Sequence, residues 1–182
     1  VGMQSEAALL PRGMRAVVTG GDPKRAAALL AADTGEVTGV LSFGIAGGLD
    51  PALEAGDLVV ATRVRGPAGA WGADLQWAAA LAGATGARLG TVAGAARVVG
   101  DPAAKRNLHA ATGGALSVDL ESEAAAAFAA ARGLPFAALR AVADTAAETV
   151  PRSAAEGLTA DGRPAAGRVA LSLLRRPKEL PA

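Results

Sequence analysis

The stretch SVDLESEAAAAFAAARGLPFAALRAVAD, from Ser117 to Asp144, decides how the rest of the chain is read. Glu121, Ser122 and Glu123 load a first helical turn with groups suited to the positive end of a helix, and Ala124 to Arg132 is nearly all strong helix former. Gly133 supplies a left-handed cap and Pro135 forbids continuation. Phe136 to Val142 is short and mostly apolar, as a strand covered on both faces should be, yet it carries Arg140 and ends at Asp144. In open α/β sheets ligands gather outside the carboxyl ends of strands, where Asp144 is expected.

The flanking sequence repeats this alternation. Upstream, Arg15 to Thr19 reads as a strand, and Asp22-Pro23 starts a helix continuing through Ala26 to Asp33. Val37 to Phe43 is a strand running into a glycine turn, Gly44 to Pro51, and Asp57 to Val64 is another strand. Gly66 to Gly72 reads as a surface loop able to close over a site. Asp74 caps a helix bearing Trp77, Leu89 to Ala93 and Ala96 to Val99 are broken strands, and Asp101-Pro102 opens a helix with Lys105, Arg106 and His109 on an exposed face. Gly113-Gly114 ends it, and Ala115 to Val118 leads into the deciding stretch. A loop from Thr145 to Pro164 and a terminal helix through Leu174 complete the chain. Alternating strands and helices predict a layered α/β fold with a mainly parallel or mixed sheet. The chain reads as one domain, residues 1–182, and the strand expected ahead of the Gly2 turn would fall before residue 1.

Composition narrows the function. The hydrophobic share is 51% with only 3% aromatic, so small side chains must pack helix closely on sheet. A net charge of +1 gives no electrostatic reason to expect a nucleic-acid partner. Without cysteine and with a single histidine, neither a thiolate nor a histidine metal centre is expected. No signal or spanning segment is read, so a cytoplasmic enzyme is the expectation.

Several residues have both a chemical and a structural reading. Gly44 to Gly48 could let a backbone approach a ligand or simply make a tight turn; it lacks the Lys-Ser/Thr end of a triphosphate loop and the dinucleotide glycine spacing. Gly21, Lys24 and Arg25 combine amides, a helix start and two cations, suiting either a phosphate or a solvated turn. Glu121 can grip paired sugar hydroxyls or serve its helix terminus. Asp144 is a general acid or a loop cap. Arg140, inside an apolar strand, needs an anionic partner, either an acid such as Glu121 or a ligand. Glu6 alone reads as a surface helix residue, and Trp71 and Trp77 as ligand stackers or core anchors.

The motifs Gly2-Met3 with Glu6, Phe43-Gly44-Ile45-Ala46-Gly47-Gly48-Leu49 before Gly56-Asp57, Val118-Asp119-Leu120-Glu121, and Arg140-Ala141-Val142-Ala143-Asp144, in that order, resemble the purine nucleoside phosphorylase and methylthioadenosine/S-adenosylhomocysteine nucleosidase superfamily. Gly20-Gly21-Asp22-Pro23, the Asp-Leu-Glu-Ser run and the tail around Asp161-Gly162-Arg163-Pro164 and Leu174-Arg175-Arg176-Pro177 look most like its hopanoid-biosynthesis-associated phosphorylases. The resemblance implies a three-layer α/β/α sandwich around a mixed sheet and cleavage of a purine N-glycosidic bond. It implies that Asp144 protonates or hydrogen-bonds the purine at N7, that Glu121 holds the ribose beside Leu120, and that Glu6 positions water in hydrolytic members. It likewise implies that Gly44, Ala46 and Gly47 line the anion and base region, that Arg140 contacts substrate, and that Gly21, Lys24 and Arg25 bind phosphate. The implied reaction is phosphorolysis of adenosylhopane with inorganic phosphate as co-substrate, no metal and no cofactor. A small or lipid-linked nucleoside, a peripheral membrane encounter and a homo-oligomer are the partners it implies. Two alternatives stand beside it: a nucleosidase using water, and a degenerate nucleoside-binding protein. Four positions depart from the pattern. Ile45 replaces a serine, Ala143 a serine or asparagine that would orient Asp144, and Glu123 a histidine, while Pro102 and Ala103 stand near where a stacking phenylalanine is usual.

Overall fold

A computed structural model of the chain describes residues 1–151. The expected terminal helix through Leu174, and most of the loop before it, lie outside the described residues. In the described part, eleven elements run in the order α1 (Gln4–Ala7), α2 (Pro23–Ala31), β1 (Val40–Gly48), β2 (Leu58–Gly66), β3 (Gly69–Gly72), α3 (Leu75–Thr85), β4 (Arg88–Gly94), α4 (Pro102–Ala111), β5 (Ser117–Asp119), α5 (Ser122–Ala131) and β6 (Phe136–Asp144).

The αβ unit read from Ser117 to Asp144 forms. Helix α5 buries Ser122, Ala125, Ala126 and Ala129, a stripe at helical spacing whose small side chains let the helix lie close to the sheet. Gly133, at φ 64°, turns the chain in the left-handed region just past its end. β6 then runs parallel to β1, from Val40 opposite Phe136 onward.

The sheet order is β3-β2-β4-β5-β1-β6, and β2 also pairs with β6, so the sheet curls back on itself. Pairings β1–β6, β2–β4 and β4–β5 are parallel; β1–β5, β2–β3 and β2–β6 are antiparallel. The sheet is therefore mixed, with helices packed against it. The main core joins Val59, Val64, Val92, Ala126, Phe136 and Val142, and a second cluster gathers Leu49, Ala93, Ala115 and Val118.

Four local expectations are corrected. Arg15 to Thr19 is not a strand but an open segment whose end bonds to the start of the chain, Thr19 N to Val1 O at 3.0 Å and Gly20 N to Gly2 O at 2.9 Å. The Gly44–Gly48 stretch is strand rather than turn, because β6 pairs with Gly44 to Gly47 and β5 with Gly47 and Gly48. Gly66 to Gly72 is no free loop: Gly69–Gly72 folds back on β2 as a hairpin, with the Glu123 carboxylate accepting from Ala68 N at 2.7 Å. Ala96 to Val99 forms no strand, as β4 stops at Gly94, where Ala95 N bonds to Asp119 O.

Candidate active site

The carboxyl-terminal halves of β1 and β6 carry the site. Gly44 lies opposite Arg140, and a Cβ there would fall 2.5 Å from Glu6 Oε1 and 2.8 Å from Arg140 Nη1. Only a missing side chain lets these two groups approach one spot on the strand. Glu6 arrives from α1. Its Oε2 accepts from Gly2 N and Met3 N, both at 2.8 Å, and its Oε1 accepts from Ile45 N at 3.0 Å. The backward bonds from the third helical position are the carboxylate half of a capping box; the bond to Ile45 ties the helix to the sheet. Glu6 is buried, which corrects its reading as a surface residue.

Arg140 is also buried, at 1% exposure. Its principal anionic partner is Asp119, paired through Nε, with Glu121 Oε2 farther away at 4.0 Å. Its Nη2 donates to Ser42 and, at 3.0 Å, to Ser122. Asp119 is itself held: Oδ1 accepts from Glu121 N at 3.1 Å and Ser122 N at 2.9 Å, and Oδ2 accepts from the Ser122 hydroxyl. Three carboxylates thus gather around one guanidinium. Burial pushes the Glu121 carboxyl above the usual glutamate range; Asp119 and Glu6 push the same way, and Arg140 opposes them. Glu121 also touches Thr19, whose hydroxyl lies 3.5 Å from Oε1, and Gly2, where a Cβ would come within 2.9 Å of Oε1. Leu120 beside it is half-buried.

Asp144 stands farther along the same pair of strands. The register shifts between Ala46 and Gly47, so that Ala46 faces Val142 and Gly47 faces Asp144. Ala143 is the extra residue of a bulge, a device that re-aims the side chain following it. A Cβ on Gly47 would lie 3.2 Å from Asp144 Oδ2, so the carboxylate lies over this glycine. Ala46 between them is buried. Asp144 pairs with Lys105 of α4, a lysine with no exposed surface, which corrects the exposed-face reading of that helix position. His109, one turn on, bonds through Nδ1 to Ala115 O at 2.9 Å.

The Gly20–Gly21 turn adjoins this cluster through the Gly20–Gly2 bond. Asp22 caps α2 and takes the amides of Lys24 at 2.8 Å and Arg25 at 3.2 Å, so these two contribute side chains rather than backbone donors. Arg25 Nε is buried with no hydrogen-bond partner among the described residues. Ile45 is 50% exposed between Gly44 and Ala46. Trp71 packs on the main core, and Trp77 lies 3.2 Å from where a Gly39 Cβ would be; both serve packing. An open groove of about 370 Å³ between Thr62, Arg63, Gly72, Ala73, Leu75 and Thr91 shares no residue with the acid cluster.

The structure brings Glu6, Glu121, Arg140 and Gly44 into one cluster and sets Asp144 over Gly47 on the same strands. Asp119, Ser42, Ser122 and Lys105 had no site role in the sequence reading, where Ser122 served only the first helical turn. An acid two residues before Glu121, facing an in-strand arginine, was a usable signal for Asp119; nothing local marked Lys105.

A sequence profile of the phosphorylase superfamily matches residues 9–176. Comparison with curated proteins gave no match. Among solved structures, an S-adenosylhomocysteine nucleosidase from Streptococcus pyogenes in complex with 5-methylthiotubericidin is 22% identical, over 90% of this chain and 78% of the other, with a TM-score of 0.66. A 5'-methylthioadenosine/S-adenosylhomocysteine nucleosidase from S. pneumoniae is 21% identical over 71% and 67%, with a TM-score of 0.65. A futalosine hydrolase mutant from Helicobacter pylori is 19% identical over 67% and 66%, with a TM-score of 0.59. These likenesses show a shared fold.

Proposed function

Because the chain belongs to the phosphorylase superfamily, we propose that its site cleaves the N-glycosidic bond of an adenine nucleoside. The observation that carries this reading is the convergence of Glu6 and Arg140 over Gly44, with Asp144 over Gly47 farther along the same strand. The two glycines are three residue steps apart on the strand, about 10 Å, a length suited to a nucleoside laid along the strand pair. Asp144 passes a proton to the purine N7 as the C1'–N9 bond breaks, leaving a carboxylate that Lys105 pairs, so adenine leaves neutral rather than as an anion. The ionised Glu121 accepts from the ribose hydroxyls while positive charge develops on the sugar.

The geometry favours water as the nucleophile. Glu6 is fixed by three backbone donors, and a water beside Gly44 would donate to it while accepting from Arg140. Its oxygen bonds to C1', and its proton passes to Glu6 and on to solvent. Glu6, Asp119 and Glu121 outnumber Arg140 here, a field that disfavours a phosphate dianion. Solved structures similar to this chain include two nucleosidases and a hydrolase. Adenine release from methylthioadenosine in phosphate-free buffer tests the proposal, and no release with or without phosphate refutes it for this substrate.

Phosphorolysis is the second reading, favoured by Arg25 Nε, buried without a hydrogen-bond partner among the described residues, next to Gly21 and Lys24. It carries the adenosylhopane substrate, a lipid-linked nucleoside met at a membrane surface. Release that requires phosphate selects it. Adenine raising the melting temperature without any turnover selects a degenerate binding protein instead.

A further inference from the structure

Among the described residues, Lys105 is the one fully buried cation whose role the proposed chemistry leaves open. It sits in the middle of α4, which Asp101 caps by accepting from Ala103 N and Ala104 N. Its ammonium has three hydrogens and makes three bonds, to the Asp144 carboxylate, to Thr145 O at 2.6 Å and to Glu148 O at 3.0 Å. Every donor is used, which is the condition for burying a lysine charge. The exposures are unequal: Lys105 has none, whereas the Asp144 side chain keeps 23%. Lys105 holds the carboxylate at Oδ2, the oxygen that also lies nearer a Gly47 Cβ (3.2 Å against 3.6 Å for Oδ1), while Oδ1 takes no hydrogen bond from the described residues. The two carbonyls belong to the segment directly after the acid, which is closed on itself by Thr145 N donating to Glu148 Oε2 at 2.7 Å. Val150 N, bonding to Gly100 O at 2.9 Å, fixes that segment to the start of α4. Ala143, the bulged residue before the acid, has no side-chain donor to offer.

Resting on the reading of Asp144 as the acid, we infer that Lys105 is its positioning residue: one ammonium sets the carboxylate's rotamer and pins the Thr145–Glu148 turn behind it. A neutral donor could satisfy the two carbonyls, but a cation also stabilises the carboxylate left when the acid has given up its proton, holding it at Oδ2. The requirement arises from the bulge. A bulge aims Asp144 off the strand, and its side chain then needs a second point of support, which comes from the helix.

The test is a double-mutant cycle on adenine release from methylthioadenosine. Lys105→Met should lower kcat by about a hundredfold, the scale of misplacing a reacting group by about 1 Å, with KM changed less than threefold. In an Asp144→Asn background the same substitution should cost almost nothing further, since it acts only through that side chain. Lys105→Gln, which keeps donors for the carbonyls and lacks the charge, covers the case in which the methionine variant does not fold; its kcat should also fall at a wild-type melting temperature. Equal losses in both backgrounds would mean a purely structural lysine and overturn the inference, as would wild-type kcat in Lys105→Gln. Wild-type turnover in Asp144→Asn alone would instead remove the acid itself, and this inference with it.

Discussion

Replacing Arg140 by methionine is the sharpest probe of the buried cluster. At the 4.0 Å separation of Arg140 and Glu121, an effective dielectric of about 20 gives roughly 4 kcal/mol of attraction. Asp119 lies nearer still. Methionine fills much of the same volume but leaves Asp119, Glu121 and Glu6 facing one another, and it strands the bonds to Ser42 and Ser122. Breaking a buried pair by removing one partner costs about 3–5 kcal/mol, a large share of the 5–15 kcal/mol typical of a folded domain. Urea unfolding at pH 7 should therefore show a loss in that range. Adding Asp119→Asn should restore part of it, because one of the stranded charges is gone. Arg140→Lys should fall between, since an ammonium lacks the planar fork that serves Asp119 and two hydroxyls together. A loss below about 1 kcal/mol in Arg140→Met, or strict additivity with Asp119→Asn, would refute the view that one guanidinium holds this cluster.

Further outcomes follow from the same geometry. Gly44→Ala places a Cβ 2.5 Å from Glu6 Oε1 at a φ of 155°, so kcat should fall about a hundredfold and stability by about 1–3 kcal/mol; kinetics and a melt on one preparation check both. Glu6→Gln keeps the size but sets an amide against backbone donors, and should cut adenine release by about 10²–10⁴ while adenine binding, read by calorimetry, persists. Glu121 has its folded-state pKa raised by burial, so the fold binds its proton more readily than the unfolded chain does. Its contribution to stability is present below the ordinary glutamate range and is lost as pH rises through the raised value. The ribose grip needs the ionised form and weakens as pH falls through that same window. KM should thus rise in the wild type as pH falls from neutrality toward the ordinary glutamate range, and Glu121→Gln should show a high KM without that pH dependence.

How far the sequence disclosed this site depends on which residues act locally. Helix α5 and strand β6 were legible because alanine, Gly133 and Pro135 act through the backbone of their own segment. The same local logic failed for Gly44 to Gly48. Glycine density reads as a turn when only neighbours in sequence are considered, but β6 pairs with the stretch, and the glycines are needed because Glu6, Arg140 and Asp144 crowd their faces. Lys105 was illegible for a related reason. Between Ala104 and Arg106 it looks like any solvated helix position, and only Asp144 and the turn after it bring three acceptors to it. Ala143 was read as a lost partner for Asp144, yet it is the residue the bulge skips, and the support comes from a helix about 40 positions earlier in the chain.

The most direct measurement is the initial rate of adenine release from methylthioadenosine in phosphate-free buffer, for the wild type and for Asp144→Asn matched in melting temperature. Steady release by the wild type is expected, with a fall of about 10²–10⁴ in kcat for the variant, the usual contribution of a positioned acid. Equal rates in the two proteins would contradict that role for Asp144.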